Sequence, residues 1–286
     1  MKRKAKQIVW DSIINIFLFI LLLIVLLPFL NIIAKSFSPL QPIISNQVLF
    51  WPVDFTLTNY KEIMSDLTFL HSFGVSVFIT LLGTLINMVF TVSLAYPLTR
   101  AEFMYKKQIT IGIMFTFIFS VPLIPIFLWV RALGMYNTLW ALMIPSAIIP
   151  FYFFILVSFF RQFIPQEIVD SARIDGSGEL NTLIRIILPI TKPALATIAL
   201  FYAIDHWNAY FGAIIYIKDN NIMPLQVKLI RRVIETEMGI ESVTQELSPE
   251  GLKMASIIVS MLPILCFYPY LQKYFVKGLT VGSIKG

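Results

Sequence analysis

The sequence predicts an all-α membrane protein with six transmembrane helices and a helix–turn–helix loop on the cytoplasmic side. Hydrophobic residues make up 58% of the chain and charged residues 13%, whereas soluble domains contain roughly 25% charged residues. Apolar runs recur at the length of about 20 residues that crosses a bilayer. Lysine and arginine residues are concentrated between alternate runs, as in a multi-pass membrane protein.

Six apolar runs account for the predicted spans. The first is too long for a signal peptide and lacks a cleavage pattern of small residues, so we expect it to remain as an anchor. The fifth contains two ionisable residues, Asp205 and His206. The predicted spans cover residues 12–34, 72–98, 108–130, 138–160, 193–217 and 254–272.

The distribution of basic residues predicts the orientation of the chain. With the N-terminus inside, the inner segments carry 14 Lys and Arg residues and the outer segments carry eight. Glutamates in residues 218–252 dilute the outer charge further. The positive-inside rule therefore places both termini in the cytoplasm. The net charge of +6 is thus explained by membrane topology, and we expect no nucleic-acid partner.

Prolines inside the spans have two interpretations. Each removes a backbone donor and bends its helix. The pairs in the third and fourth spans suit helices that curve around a pathway, and ordinary kinks in a static bundle explain them equally well. These prolines are Pro28, Pro122, Pro125, Pro145, Pro150 and Pro263.

The inner segment at residues 161–192 predicts a helix followed by a sharp turn. Pro165 suits the first turn of this helix, where the negative charge of Glu167 is also favourable. Asp175 and Gly176 form the turn, because Gly176 can take the left-handed conformation that ends a helix.

A second helix is predicted to follow the turn. Ser177 can cap its N-terminus. We expect this helix to run to about Leu188 and to stop at Pro189. The segment therefore forms a helical hairpin between the fourth and fifth spans, on the cytoplasmic side.

Seven residues of this segment have a characteristic spacing. They are Asp170-Ser171-Ala172, then after three residues Gly176, then after nine residues Ile186, and after one more Leu188-Pro189. The pattern resembles the cytoplasmic signature of permease subunits in binding-protein-dependent ABC importers. The family has Glu-Ala-Ala at the first three positions, so this chain keeps the acid with one methylene fewer.

Other stretches resemble the carbohydrate-uptake importers of the maltose type within that family. The resemblance extends across nearly the whole chain, and it is strongest to polysaccharide and oligosaccharide importers of Gram-positive bacteria. The stretches are Ile164-Pro165, Ile174-Asp175-Gly176-Ser177, Phe201 ahead of Trp207-Asn208, Met223-Pro224-Leu225 and the tail from Tyr274 to Gly286.

The resemblance implies a permease subunit of an ATP-driven importer that moves a sugar, expected to be an oligosaccharide, across the bacterial cytoplasmic membrane. Besides the lipid bilayer, it implies as partners a second homologous permease subunit, two cytoplasmic ATPase subunits, an extracellular sugar-binding protein and the sugar. In the family the loop helix docks in a groove of the ATPase, and the tail, here residues 276–286, reaches the ATPase dimer. The residues implied in ATPase coupling are Glu167, Asp170, Ser171, Ala172, Asp175, Gly176, Ile186, Leu188 and Pro189.

The sequence contains no motif for binding ATP. No glycine is followed by lysine, so the chain has no P-loop, and ATP and Mg²⁺ are expected on the partner ATPase. The sequence has no His-Glu-x-x-His motif and no Cys/His cluster for zinc. Its single cysteine, Cys266, excludes an intrachain disulfide. We therefore expect a transport subunit that is not an enzyme and that holds no cofactor or metal.

The fifth span supplies the candidate substrate-pathway residues Asp205, Trp207 and Asn208. An indole stacks on the apolar face of a sugar, while Asp and Asn bond its hydroxyl groups. Plain helix packing is the alternative for Trp207. Asp205 and His206 would suit a proton-coupled secondary transporter, or they lie near the outer end of the span and face water. A membrane-embedded enzyme would need a catalytic constellation, which the sequence lacks.

Overall fold

The computed structural model describes the backbone of residues 2–100, 102–238 and 248–282, and the side chains of residues 10–100, 102–236, 238 and 248–266. Within these ranges every regular element is a helix, which confirms the predicted all-α class. The α-helices in chain order are α1 (Lys2–Ser36), α2 (Leu40–Ile44), α3 (Thr58–Ser65), α4 (Leu67–Ala95), α5 (Lys106–Ile118), α6 (Leu123–Ala132), α7 (Trp140–Met143), α8 (Pro150–Phe163), α9 (Gln166–Ile174), α10 (Glu179–Thr182), α11 (Leu188–Ile190), α12 (Lys192–Asn208), α13 (Phe211–Tyr216), α14 (Leu225–Glu237) and α15 (Pro249–Gly282). Short 3-10 helices occupy Pro97–Thr99 and Asn220–Ile222, and a π-helical turn occupies Leu183–Ile187.

Three helices in the described part of the chain are long and apolar enough to cross a membrane. They contain Trp10–Ser36, Leu67–Thr99 and Pro249–Cys266. A fourth would be the bent pair Glu179–Ile190 and Lys192–Asn208, whose axes differ by 86°. The remaining apolar helices, such as α6 and α8, are shorter. By length and composition the structure thus gives three or four spans, and the count of six stays a prediction.

The predicted third and fourth spans are each divided between two helices, and proline explains both divisions. Pro122 precedes α6, and Pro150 occupies the first turn of α8. A proline has no N–H to continue the preceding helix, and it forces the residue before it out of the α conformation. Ile149 accordingly has an extended backbone, with ψ at 116°. Pro28, in contrast, lies inside the continuous helix α1.

The predicted fifth span is also interrupted, while the sixth is continuous. The residue Ala209 leaves the helical conformation between α12 and α13, with ψ at 105°. The predicted span 254–272 lies within α15, which continues into the tail as far as Gly282. The final residues of the predicted tail, 283–286, lie outside the described part of the chain.

The chain forms two compact units, of which the first contains the residues up to Leu70 together with Lys228–Leu262. Its small apolar cluster consists of Ala34, Ile43 and Val48. The buried amide of Asn59 donates to the carbonyl oxygens of Ser36 and Ser38 at 3.0 and 3.1 Å. These bonds fix α3 against the end of α1.

Ion pairs also join the helices of this first unit. Lys35 Nζ lies 2.6 Å from Glu250 Oε1, and Arg232 Nη2 lies 3.2 Å from Asp66 Oδ2. The Asp66 carboxylate also accepts hydrogen bonds from Thr68 and Phe69 at the start of α4, as an acidic N-cap does. Although partial burial opposes ionisation, these bonds and Arg232 hold the pKa of Asp66 below its ordinary value.

The second unit contains His71–Val227 and Pro263–Gly286, and it holds most of the core. Phe153, Leu156 and Phe160 of α8 are fully buried and pack in one cluster with Ile198 and Tyr202 of α12. The end of α12 is held against the start of α8, where the Ile149 N–H donates to the Tyr202 hydroxyl at 3.1 Å and the Tyr152 hydroxyl donates to Asp205 at 2.8 Å. Several of the predicted functional residues lie at that end.

Helix α1 carries only apolar side chains over residues 16–30 of its candidate span. No residue of the most apolar 18-residue stretch within Trp10–Ser36 is buried within the chain. Large side chains such as Phe17 and Ile24 are about 60% exposed there. An apolar surface of this extent is stable only against lipid or another apolar helix. The first predicted span therefore has the surface of a membrane-embedded helix.

Candidate functional site

Between α8 and α12, helices α9 and α10 are joined by a turn at Gly176 and form a hairpin, whose cytoplasmic location stays a prediction. Helix α9 begins after Pro165 and ends at Ile174, and Gly176 has φ of +77°. The Ser177 N–H donates to the Ala172 carbonyl and the Gly176 N–H to the Arg173 carbonyl, both at 2.9 Å. These two bonds form a Schellman motif, which satisfies carbonyls at the helix end. The predicted left-handed conformation of Gly176 is confirmed.

The second half of the hairpin differs from the prediction at both ends. Gly178 precedes α10 and Ser177 makes no capping bond to the backbone. Instead the Ser177 hydroxyl accepts bonds from Asn181 and Thr182 at 2.9 and 3.0 Å. The helix also passes Pro189 and ends at Ile190. The π-helical turn before Pro189 widens the helix where the proline ring would otherwise crowd a carbonyl.

The residues of the predicted coupling signature lie on different faces of the hairpin. Ala172 is buried at 4% exposure beside the fully buried Val169, so these two hold α9 against the rest of the chain. The exposed members are Glu167, Asp170, Ser171, Asp175, Gly176 and Pro189, and the half-buried members are Ile186 and Leu188.

Two apolar side chains that flank the turn are strongly exposed. Ile174, before the turn, is 87% exposed, and Leu180, after it, is 74% exposed. Sequence reasoning did not select either residue as functional, because one apolar residue at a helix end is compatible with packing inside the chain. Their exposure makes the turn an apolar tip with acidic side chains beside it.

An ionic cluster beside the turn of the hairpin was missed by sequence reasoning. Arg173 of α9 binds Glu102 through both guanidinium Nη atoms, at 2.5 and 2.6 Å. Its Nη2 also lies 2.8 Å from an oxygen of Glu179. The second oxygen of Glu179 accepts a hydrogen bond from the Tyr96 hydroxyl at 2.7 Å. No local pattern pairs Arg173 with Glu102, since they lie 71 positions apart.

The cluster keeps its acids ionised. Hydrogen bonds from Arg173 hold the pKa of both Glu102 and Glu179 below the ordinary glutamate value. The same bonds raise the pKa of the Arg173 guanidinium. A lowered carboxyl pKa means that the stabilising contribution is complete above the ordinary glutamate pKa and is lost as pH falls through the lowered value. The cluster is therefore fully charged at neutral pH.

The four residues at the end of α12 point in different directions. Asp205 is exposed and accepts a bond from the Tyr152 hydroxyl at 2.8 Å. His206 is 7% exposed, and its Nε2 lies 2.9 Å from Asn87 Oδ1. Consecutive residues of a helix are rotated by about 100°, which explains the separate partners. The proton-coupled alternative treats Asp205 and His206 as one unit, whereas each has its own hydrogen-bond partner here.

The remaining two residues of this group also differ in exposure. Trp207 is 4% exposed, and Phe73 packs edge-to-face on it with ring centroids 5.7 Å apart. Asn208 is exposed and donates to the Ile204 carbonyl at 3.0 Å. The groups of this site that are open to a ligand are thus the Asp205 carboxylate and the Asn208 amide.

Helices α4 and α12 approach closely at this site because a glycine faces the histidine. A Cβ atom added to Gly83 would lie 2.6 Å from His206 Nε2, so no side chain fits there without movement. Asn87, one turn along α4, bonds His206 and also donates to the Ser146 carbonyl at 2.6 Å. Polar side chains commonly join membrane helices in this way. An Asn inside an apolar run was a signal from which sequence reasoning could have found this contact.

Within the described residues, no group of three or more His, Cys, Asp or Glu side chains is arranged to hold a metal ion. The chemistry of both sites therefore consists of hydrogen bonds, ion pairs and apolar contact. The hairpin exposes apolar and acidic side chains, and the end of α12 exposes hydrogen-bonding groups.

The hairpin, the apolar helices and the comparisons with known proteins define the class of protein. This chain belongs to the family of carbohydrate ABC transport system permeases. It is 42% identical to Protein LplC of Bacillus subtilis (strain 168), over 92% of this chain and 90% of that protein. It is 39% identical to the polygalacturonan/rhamnogalacturonan transport system permease protein YtcP of the same strain, over 98% of this chain and 100% of that protein.

A solved structure has the same fold. A chain in the crystal structure of a bacterial ABC transporter involved in the import of the acidic polysaccharide alginate aligns with a TM-score of 0.87 and 29% identity. The alignment covers 93% of this chain and 96% of that one. No family model matches the sequence. The resemblance drawn from the sequence motif is thus confirmed over nearly the whole chain.

Proposed function

We propose that this chain is one of two permease subunits in an ATP-driven importer that moves an oligosaccharide across the bacterial cytoplasmic membrane. The observation that carries this proposal is the hairpin around Gly176, whose left-handed turn exposes an apolar tip between two helices. ATP and Mg²⁺ bind to two cytoplasmic ATPase subunits, since this chain has no P-loop. An extracellular binding protein delivers the sugar.

The hairpin is proposed to dock on the ATPase through its exposed side chains. Glu167, Asp170 and Ser171 supply polar contacts on α9, while Ile174 and Leu180 supply apolar contacts beside the turn. An apolar centre with a polar rim is typical of protein interfaces. The buried Ala172 and the half-buried Ile186 and Leu188 hold the hairpin to the chain, and Asp175 and Gly176 set its turn.

The movement of the docked hairpin is proposed to reach the sugar pathway through α12. The helical run Glu179–Ile190 meets Lys192–Asn208 at an 86° bend, so a displacement of the hairpin turns into a movement along or across α12. The far end of α12 carries Asp205 and Asn208, which are proposed to bond sugar hydroxyls. Trp207 reaches a sugar only if its contact with Phe73 opens during the transport cycle.

The proposed topology has six spans with both termini in the cytoplasm. Helices α1, α4 and α15 each form one span, and the broken pairs α5–α6, α7–α8 and α12–α13 form the others. Non-helical backbone at membrane depth is tolerated where neighbouring helices or a water-filled pathway satisfy it. A sugar pathway bordered by these breaks would meet that condition.

Reconstitution of the whole importer tests this function. The chain is co-expressed with its neighbouring transport genes, purified and placed in liposomes that contain ATP and Mg²⁺. We expect uptake of an oligosaccharide from a panel of neutral and uronic-acid sugars, dependent on the binding protein and unaffected by a protonophore. Uptake that persists with a non-hydrolysable ATP analogue and collapses with the protonophore would instead establish a proton-coupled transporter.

A further inference from the structure

We propose that Arg173, Glu102 and Glu179 form an ionic link through which the movement of α9 reaches the end of α4. These residues would be positioning residues for transport, because they contact neither the sugar nor ATP. The inference rests on the proposed function, since it assigns a route to the movement that the ATPase drives. It gives this movement a second route, in addition to the proposed route through the 86° bend between Glu179–Ile190 and α12.

Three chain segments meet at one guanidinium. Arg173 lies in the last turn of α9, Glu179 begins α10, and Glu102 lies in the segment between α4 and α5. Arg173 Nη1 and Nη2 bind the two oxygens of Glu102 at 2.5 and 2.6 Å, and Nη2 and Nε lie 2.8 and 3.3 Å from Glu179 Oε1. Both carboxylates are thus engaged by the same side chain, one of them through both oxygens.

The far end of the link is fixed in the core. Tyr96, whose hydroxyl donates to Glu179, is 5% exposed and directly follows α4. Its ring packs in the same cluster as Phe160 of α8, and the buried Arg100 guanidinium lies 4.8 Å from its centroid. Because Tyr96 is packed in the core and directly follows α4, a displacement of α9 that pulls on Glu179 is passed through Tyr96 to the end of α4.

The geometry favours a permanent connection over a passing contact. An isolated ion pair at a surface contributes little stability, but bidentate pairs and networks contribute more. Arginine supplies a planar fork that binds two carboxylates at once, whereas lysine offers a single compact charge. Burial of α9 itself is provided by Val169 and Ala172. The ionic link therefore ties α9 to Glu102 and Glu179 specifically, in addition to the apolar packing that already holds α9 against the chain.

The first test breaks the link in the reconstituted importer. Arg173→Gln and Glu102→Gln should leave ATPase copurification at the wild-type level and lower the sugar transported per ATP hydrolysed by roughly threefold or more, a moderate effect because each exposed pair is weak alone. Arg173→Lys should retain part of the coupling. Glu62→Gln removes a negative charge at an exposed position of α3 and should change neither quantity.

The second test restores the connection with a covalent bond. In a Cys266→Ala background, the double variant Glu102→Cys with Arg173→Cys should lower the sugar transported per ATP hydrolysed, as the single variants do. Treatment with a short thiol cross-linker that spans the length of the Arg–Glu pair should then restore it. A structural role alone predicts no such rescue, and a link that must open during transport predicts complete loss of uptake after cross-linking.

The outcomes separate this inference from the function on which it rests. If the wild-type chain binds no ATPase, the proposed function fails before any variant is compared. If the wild-type importer works and the variants transport as much sugar per ATP as wild type does, the ionic link has no part in coupling. Cross-linking that blocks uptake would also overturn the link as stated.

Discussion

Gly176 holds the turn of the hairpin in a conformation that a side chain opposes. Its φ is +77°, and a Cβ there would meet no atom within 4 Å, so the constraint is conformational and not steric crowding. A β-branched residue in the left-handed region costs about 1–2 kcal/mol. We expect Gly176→Val to leave the chain inserted and to weaken ATPase copurification. Gly178→Ala, at φ −71° in equally open space, is the matched control and should bind normally.

Asp205 and Asn208 are the residues at which we expect single substitutions to affect the sugar. Loss of one hydrogen bond worth about 0.5–1.5 kcal/mol should reduce uptake roughly two- to tenfold. Asn208→Ala should therefore lower uptake by this amount without affecting complex assembly, and Asp205→Asn should be milder because the amide still accepts. Ser158→Ala removes the same kind of bond to a carbonyl four residues earlier and should have no effect. Normal uptake in both site variants would remove the site from the pathway.

At the scale of helices, the packing of α4 on α12 depends on one glycine. A Cβ at Gly83 would lie 2.6 Å from the ring of His206, which Asn87 holds in place. Overpacking of this kind costs about 1–3 kcal/mol. Gly83→Ala should therefore lower the thermal unfolding midpoint of the purified chain in detergent.

Another glycine of the same helix supplies the control for that experiment. A Cβ at Gly74 meets no atom within 4 Å. Gly74→Ala should leave the midpoint unchanged or raise it, because alanine is favoured over glycine inside a helix by roughly 0.5–1 kcal/mol. Equal midpoints for Gly83→Ala and Gly74→Ala would show that α4 and α12 do not pack as closely as described.

At the scale of the whole chain, topology is the property to test first. Six spans place α3 outside the cell and the hairpin inside it. In a Cys266→Ala background, Glu62→Cys should react with an impermeant thiol reagent in intact cells. Leu180→Cys, at a position that is 74% exposed within the chain, should react only after the cells are opened. Labelling of both positions from the same side would exclude a six-span chain with this orientation.

The features that the sequence predicted correctly depend on composition and on the backbone preferences of single residues. The all-helical class follows from apolar composition and run length, because a bilayer leaves backbone groups no partner except one another. The hairpin turn follows from Gly176 and the helix start from Pro165, since both act on their own backbone angles. The sequence predicted bends at Pro122 and Pro150, whereas the structure has breaks there, and Pro28 lies inside a continuous helix. Family membership followed from spacing within one segment.

Contacts between distant residues were decided only by the tertiary structure. Arg173 meets Glu102 across 71 positions, and His206 meets Asn87 across 119, and no periodicity pairs such residues. The sequence also could not decide whether Trp207 packs between helices or lines the pathway, and the structure shows it buried against Phe73. Backbone preference acts within about one helical turn, whereas these contacts depend on how separate helices pack. The sequence by itself therefore determined the all-helical class, the turn and the family, and packing determined which side chains reach each other.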